Sequence, residues 1–474
     1  MKKNPIKASI WYTVGNYFLK GIGLITIPLF SRLLSVEDYG IYNTFIAYES
    51  FLYLFIELAL HECLRKAKYK YDNLNSFSAN ILLIPIFFVV FYEILFVPFS
   101  TSLAKIANLP QSVIPILIWY SFCSGVITYY RALIALDYNY NSYLKISLFN
   151  VICNVFLSIV LMLTCFSNRK FMGRIVGGAI AYSIVALYAI VLIFKNSKPK
   201  INWNHYKFAL KYSLPIIPHG LAQIVLLQFD RIMINSLVGS TEAGIYGFSY
   251  TVFTMAQILS QSLDSVYEPW VFEQFNNQNH KKIKTINNSY CILLCLMIGL
   301  CIIFSPEIIY ILGGKKYSES IKCLIPILLG GFFSMLYSMP AQIEYYYEKT
   351  AYISIGTTLA ALLNVVLNWV CIPKFGYVAA AYTTLVTYFL YFFIHLILAY
   401  KLSGYATINI KILGMCAGTL ILLCVCLVTL YSYFVLRLVI YSIFLVATTY
   451  ILVKQLFGDP QKLILMIKQH NTKL

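Results

Sequence analysis

An all-α integral membrane fold with about 14 transmembrane helices is predicted by three features of this sequence: its composition, its succession of long apolar runs, and the absence of strand-like alternation within them. Of 474 residues, 60% are hydrophobic and 11% are charged, whereas soluble domains are about 45–50% apolar and about 25% charged. A bilayer core about 30 Å thick needs about 20 apolar residues per helical crossing. The chain supplies such stretches one after another, with short polar breaks between them. Closed barrels also satisfy backbone groups in lipid, but their strands are short and alternate, so helices are expected.

The first apolar run follows Lys2, Lys3 and Lys7, carries Lys20 and passes residue 30 without a small-residue cleavage pattern, so it is expected to be a retained helix rather than a signal peptide. Hydropathy then places spans near residues 9–34, 39–63, 76–99, 112–136, 143–166, 174–195 and 209–236. A further seven fall near 242–272, 285–306, 320–347, 351–372, 377–400, 409–431 and 435–456. The twelve cysteines lie mostly inside these spans, where buried thiols without a redox role are expected. Cys291, Cys295 and Cys301 share one span without zinc-type spacing.

The net charge of +18 sits in the loops, which argues against a nucleic-acid partner. With both termini in the cytoplasm, 23 Lys and Arg fall on that side and ten on the other, the asymmetry of the positive-inside rule. Loops 166–174 and 313–322 depart from it locally. The remaining three cations, Lys20, Arg131 and Arg231, fall within spans.

An internal duplication organises the chain. Ser35-Val-Glu-Asp-Tyr-Gly-Ile-Tyr42 aligns with Gly239-Ser-Thr-Glu-Ala-Gly-Ile-Tyr246, and Asn150-Val-x-x-Asn154 with Asn364-Val-x-x-Asn368. Each copy of the first motif follows a long helix and opens the next. Six spans per copy is an even number, so the copies enter the membrane in the same sense. Two parallel six-helix bundles around a central cavity follow, over 1–200 and 201–404, with two additional helices and a tail over 405–474. Such repeats are a recurrent transporter plan.

Polar residues form stripes inside the spans. Tyr246, Tyr250, Thr254, Gln257, Gln261, Asp264 and Glu268 recur at steps of three and four, one face of a helix. Tyr42, Ser50, Tyr53 and Glu57 do the same in the first copy, joined by Thr13, Asn16 and Lys20, by Tyr120, Ser124, Thr128 and Arg131, and by His219, Gln223 and Asp230. A charge at mid-bilayer costs about 2.5–3.5 kcal/mol on insertion scales. Lys20, Arg131, Arg231 and Asp230 therefore either line a cavity or pair with one another, for example Asp230 with Lys20. Glu93, Glu268, Glu344 and Glu348 are read as packing residues, the last three neutralised by loop lysines. Most of the 40 tyrosines and 33 phenylalanines are read as interfacial anchors and packing.

Catalytic and metal chemistry find no support. Gly313-Gly314-Lys315-Lys316 lacks phosphate-loop spacing, and Arg65 stands where a zinc-protease motif starting at His61-Glu62 needs its second histidine.

The segments Leu214-Pro-Ile-Ile-Pro-His219, Gln228-Phe-Asp-Arg-Ile-Met-Ile234 and Ala243-Gly-Ile-Tyr246 resemble the middle signature of polysaccharide-transporter flippases. Phe30-Ser-Arg-Leu-Leu-Ser-Val-Glu-Asp-Tyr-Gly-Ile-Tyr42 resembles their first-repeat signature. These belong to the multidrug/oligosaccharidyl-lipid/polysaccharide exporter superfamily. The resemblance implies alternating-access transfer of undecaprenyl-diphosphate-linked oligosaccharide repeat units across a bacterial cytoplasmic membrane for O-antigen, capsule or exopolysaccharide assembly. It implies a polysaccharide polymerase and chain-length proteins as partners, and no cofactor. For the diphosphate and sugars the candidates are Lys20, Arg32, Arg131, Arg231, Tyr53, Gln257 and Gln261. Coupling to H+ or Na+ is assigned to Glu57, Asp230 or Asp264, with membrane potential as the other drive. A multidrug cation exporter of the same superfamily is the alternative, and a membrane polysaccharide polymerase or ligase stands behind it.

Overall fold

The fold is taken from a computed structural model that describes residues 5–457, with side chains from 11 to 456 apart from Thr13 and Lys20. Lys2, Lys3, Lys7, Lys20, Lys462, Lys468 and Lys473, all used above, have side chains outside that set. Contacts divide the chain into two compact units, Met1–Gly247 with Ile372–Tyr377, and Phe248–Cys371 with Val378–Leu474.

The first unit contains α1 (Pro5–Leu33), α2 (Val36–Glu57), α3 (Leu60–Lys70), α4 (Leu74–Ile81), α5 (Leu83–Phe96) and α6 (Ser100–Ala107). It continues through α7 (Val113–Leu136), α8 (Tyr140–Leu163), α9 (Lys170–Asn196), α10 (Trp203–Ser213) and α11 (Ile217–Leu237) to the first turns of α12 (Ser240–Asn276). The second unit holds the rest of α12, then α13 (His280–Ile303), α14 (Ser305–Gly313), α15 (Ile321–Leu336) and α16 (Ser338–Tyr346). It is completed by most of α17 (Thr350–Phe375), α18 (Val378–Ser403), α19 (Ile410–Thr429) and α20 (Phe434–Phe457). Among the described residues, 13 segments are long and apolar enough to cross a membrane. The expected span at 242–272 corresponds to α12, which has 37 residues but falls outside those 13 segments. Its polar stripe lowers its hydropathy.

Four expected single spans are broken helices. Pro85 sits three residues into α5 and has no N–H for the carbonyl of Ile81, which divides α4 from α5. Pro340 leaves the carbonyl of Leu336 without its N–H in the same way, and the break falls at Tyr337. Pro215 lies within a short 3-10 turn, Leu214–Ile216, between α10 and α11, and Pro218 is the second residue of α11. The fourth break has neither proline nor glycine: Leu58 and Ala59 both adopt left-handed backbone, at φ 53°.

Apolar burial within the first unit centres on Phe77, Tyr129 and Leu60 and, in a second cluster, on Phe45, Tyr120 and Ile175. Outward-facing apolar residues are equally telling. Ile25, Ile94, Val428 and Val446 are each at least 70% exposed, a surface suited to acyl chains rather than water. Of the cysteines, Cys63, Cys123, Cys291, Cys295, Cys323, Cys416 and Cys424 are buried and unbridged, while Cys165 is exposed.

The duplicated motifs acquire structural roles. The two Gly-Ile-Tyr segments open α2 and α12, and these helices cross at their glycines: a Cβ on Gly40 would lie 1.8 Å from the Ser240 carbonyl oxygen, and one on Gly244 would lie 2.1 Å from that of Val36. Asparagines of both motifs, Asn154 in the first and Asn364 with Asn368 in the second, join helical hairpins. In the first copy Arg174 on α9 donates to Asn154 and, at 2.8 Å, to Ser158, with its guanidinium 3.9 Å from the Phe30 ring centre. In the second, Thr383 donates to Asn368, whose amide donates to Asn364 at 3.2 Å. Polar side chains of this kind join helices in lipid.

Arg437 departs from expectation. Counted above with the external loops, it is a buried residue of α20. It donates to Glu307 Oε2 at 2.9 Å and to the Ile303 carbonyl at 2.7 Å, and its second terminal nitrogen reaches Glu307 Oε1.

Candidate functional site

Three helices of the first unit bring polar residues around a cavity of about 380 Å³. Glu49, Ser50 and Tyr53 come from α2, Ser124 and Thr128 from α7, and Ile224, Leu227 and Gln228 from α11. Helical spacing explains the grouping, since 49, 50 and 53 share a face of α2, as 124 and 128 do on α7. Ser50 and Thr128 also donate to carbonyls one turn back, Ile46 at 2.9 Å and Ser124 at 3.0 Å. Their oxygens remain able to accept. The lining therefore offers hydroxyls, one carboxyl and one amide against an apolar wall.

Two of the intramembrane cations stand one helical turn from residues of this lining. Arg231 follows Gln228 by one turn, is buried, and donates to the Gln228 side chain and, at 3.0 Å, to the Leu227 carbonyl. Arg131 follows Thr128 by one turn and is half-buried; its Nε has no hydrogen-bond partner among the described residues. Arg32, in the last turn of α1, is exposed. The Lys20 side chain lies outside the described set.

The three acids suggested for ion coupling have distinct surroundings. Glu57 is fully buried at the break after α2. Its Oε1 accepts the His61 backbone N–H at 2.7 Å, and its Oε2 lies 2.9 Å from His61 Nδ1. The carboxylate thus caps the first turn of α3, where the helix dipole favours negative charge. Asp230 is buried and accepts from the Tyr246 hydroxyl; the pairing with Lys20 suggested by the sequence falls on a side chain outside the described residues. In the second unit, Asp264 accepts from Tyr290 at 2.8 Å. Gln257 is half-buried and Gln261 is exposed on the same helix.

The Glu57 cap is paid for by two left-handed residues. A left-handed alanine costs about 1–2 kcal/mol, and glycine removes that cost while adding about 0.5–1 kcal/mol of unfolded-chain entropy. Ala59→Gly is therefore expected to raise the thermal midpoint of the purified protein slightly. A fall would show that the buried Ala59 methyl matters more than its backbone angle.

Sequence reasoning missed Glu49 and His395. Glu49 lies four residues before Tyr53 and eight before Glu57, so extending the α2 stripe by one turn identifies it. His395 stands alone in an apolar run of α18, and its partner is Glu344: Nδ1 lies 2.7 Å from Glu344 Oε1, with both side chains fully buried. The expectation that loop lysines neutralise Glu344 is thereby corrected. Lys349 gives its backbone N–H to the Glu344 carbonyl at 2.8 Å, and Lys349 itself is exposed. Glu268 likewise accepts from Gln342 at 2.9 Å.

Residues 29–322 match the model of a family described as polysaccharide biosynthesis protein. Lsg locus protein 1 of Haemophilus influenzae is 23% identical over 388 residues, covering 76% of this chain and 89% of that protein. A probable low-salt glycan biosynthesis flippase of Haloferax volcanii, Agl15, is 21% identical over 242 residues, covering 49% of this chain and 51% of its own length. Among solved structures, lipid II flippase MurJ in an inward closed conformation matches with a TM-score of 0.76 at 15% identity, covering 94% of this chain and 99% of that one. An inward-facing multidrug resistance transporter of the MATE family, within the MOP superfamily, matches with a TM-score of 0.60 at 12% identity, covering 81% of this chain and 98% of that one. These structural likenesses speak to fold, whereas the family match spans more than half of the chain. The chain belongs to the polysaccharide biosynthesis protein family and shares its all-helical fold with these transporters of solved structure.

Proposed function

We propose that this protein is a flippase that carries undecaprenyl-diphosphate-linked oligosaccharide repeat units from the inner to the outer leaflet of a bacterial cytoplasmic membrane. Its product would feed O-antigen, capsule or exopolysaccharide assembly, in company with a polymerase and chain-length proteins. The observation that carries this reading is the polar cavity of the first unit, in a chain of this family. Hydroxyl, carboxyl and amide groups inside apolar helices match the hydrogen-bonding surface of a sugar. A diphosphate in hydrocarbon needs cationic and hydrogen-bonding escorts, for which Arg131 and Arg231 stand one turn from the lining. Lys20, Arg32, Gln257 and Gln261 complete the candidate set.

Alternating exposure of the cargo to the two sides of the membrane accords with the superfamily fold. An anion of about two charges leaving an inside-negative cell gains about 4–5 kcal/mol per 100 mV, so nucleotide hydrolysis is not required. The excess of basic residues on the side of both termini supports cytoplasmic ends.

The test is reconstitution in proteoliposomes with lipid-diphosphate oligosaccharide, scored by its exposure to an added glycosidase. Arg131→Ala and Arg231→Ala are each expected to slow exposure about ten- to a hundredfold at equal protein abundance, the equivalent of the 1.5–3 kcal/mol of a charged hydrogen bond. Unchanged rates would assign both arginines to packing. Glu49 in the lining favours a second reading, export of an organic cation. Dye efflux without glycan exposure would establish that reading instead.

A further inference from the structure

We propose that Glu344 and His395 form a proton-binding site in the second unit whose loading is coupled to the transport cycle, an inference that rests on the transport reading above. The pair joins α16 to α18, with both side chains fully buried and Nδ1 2.7 Å from Oε1. With Glu344 ionised its oxygen can only accept, so Nδ1–H donates to it. The two outer atoms, Glu344 Oε2 and His395 Nε2, are buried and have no hydrogen-bond partner among the described residues. In this state the pair carries one negative charge. One added proton, on Oε2, makes both groups neutral while the bond between them persists. Neutrality is the state that a low-dielectric interior favours.

The surroundings link that proton to helix movement. Glu344 lies on α16, a nine-residue segment beyond the break at Tyr337 that Pro340 imposes. His395 Nε2 faces α17, where it lies 2.3 Å from the position that a Cβ on Gly356 would occupy. Movement of α16 or α17 would therefore open one of the two unpartnered atoms to water. The titratable groups around the pair are Tyr337 at the α15–α16 junction, Tyr345 on α16 and Tyr391 on α18. Beyond Tyr345 stands Glu268 of α12. The Tyr337 and Tyr391 rings meet the His395 imidazole edge-on at 4.9 and 4.7 Å, and the Tyr391 hydroxyl lies 3.0 Å from that of Thr357 on α17. Phenols thus stand around the pair, and among the described residues no lysine or arginine forms an ion pair with the carboxylate.

Two measurements on the full-length protein test this. Infrared difference spectra between acid and neutral pH should contain a protonated-carboxyl band that Glu344→Gln removes and that His395→Gln displaces along the pH axis. In proteoliposomes, an imposed pH gradient should accelerate glycan exposure by wild type, and Glu344→Gln and His395→Gln should lose that acceleration. Gly356→Ala, which pushes the imidazole aside without altering a titratable group, should reduce it as well. A Glu344→Gln spectrum identical to wild type overturns the proton site. A band that is lost while the variants keep the full gradient response overturns its coupling. Failure of wild type to expose any glycan overturns the flippase reading, and the infrared comparison still decides whether the pair binds a proton.

Discussion

Gly40→Val should leave almost no correctly folded protein, and Gly40→Ala should lower the thermal midpoint sharply. The added carbon would sit 1.8 Å from the Ser240 carbonyl oxygen and 2.8 Å from the Gly244 nitrogen. Both are backbone atoms, which cannot rotate away as a side chain would. One surplus methylene in a packed core costs about 1–3 kcal/mol even where side chains adjust. Here whole helices must separate, and their ends are tied. Asn235 donates to the carbonyls of Ala107 and Asn108 at 3.1 and 2.9 Å, and Ser240 donates to Asn235 at 2.8 Å. Against a typical margin of about 5–15 kcal/mol, such a cost is severe. Gly414→Ala and Gly418→Ala are the controls, since nothing lies within 4 Å of either added carbon, and both should be neutral or slightly stabilising. Size-exclusion profiles and thermal midpoints in detergent check the series. A Gly40→Ala protein as stable as the controls would mean that α2 and α12 cross farther apart.

Arg437→Ala should destabilise by about 1.5–3 kcal/mol, the loss of a charged hydrogen-bonded contact whose arginine is buried while its glutamate is partly exposed. Its guanidinium makes a two-pronged contact with Glu307 and holds the Ile303 carbonyl at 2.7 Å, fastening α20 to the end of α13 and to α14. The double replacement Arg437→Leu with Glu307→Leu should recover much of the loss, because apolar pairs substitute well for buried ions. The effect is also pH-dependent. Burial pushes the Glu307 carboxyl up, but the Arg437 hydrogen bond, a backbone N–H and the Arg437 charge more than offset this, so it titrates below its ordinary value. The pair's contribution is therefore present above the ordinary glutamate range, about 4.3, and fades as pH falls through the lower folded value. Thermal midpoints of wild type and Arg437→Ala should converge in acid. Equal midpoints at neutral pH would show that the last helix is held by its apolar contacts alone.

Much of this architecture was legible because lipid imposes a simple code. Apolar length marks helices, and α7, α8, α9, α13, α17 and α18 fall within a few residues of the spans read from hydropathy. The breaks at Pro85, Pro215 and Pro340 have a visible cause, yet apolar length alone runs straight through them. The break at Leu58–Ala59 has no local signal, since it depends on Glu57 turning back to cap α3. Polar stripes at helical spacing pointed to Tyr53, Ser124 and Thr128, which the cavity gathers. Pairing was less accessible. Asp230 meets Tyr246, 16 residues away, and Glu344 meets His395, 51 residues away, and periodicity within one helix carries no information about which neighbour faces it. Arg437 was misplaced for a related reason: counting cations near helix ends cannot distinguish a loop residue from one whose charge is matched inside the bundle.

The glycine crossing bears on the ancestry of the chain. Gly40 and Gly244 occupy the same place in the two copies, so the contact resembles the self-complementary patch of a two-fold dimer. In an ancestor that paired with itself, one codon would have set both sides, and every substitution there would have been felt twice. Fusion of two such copies would uncouple those codons, yet give neither much latitude. Each glycine's missing carbon is excluded by backbone from the opposite helix, so the loss of one cannot be repaired by changing the other. Side-chain contacts elsewhere are free to differ between the halves, as in the hairpins, where an arginine serves Asn154 and threonines serve Asn364 and Asn368.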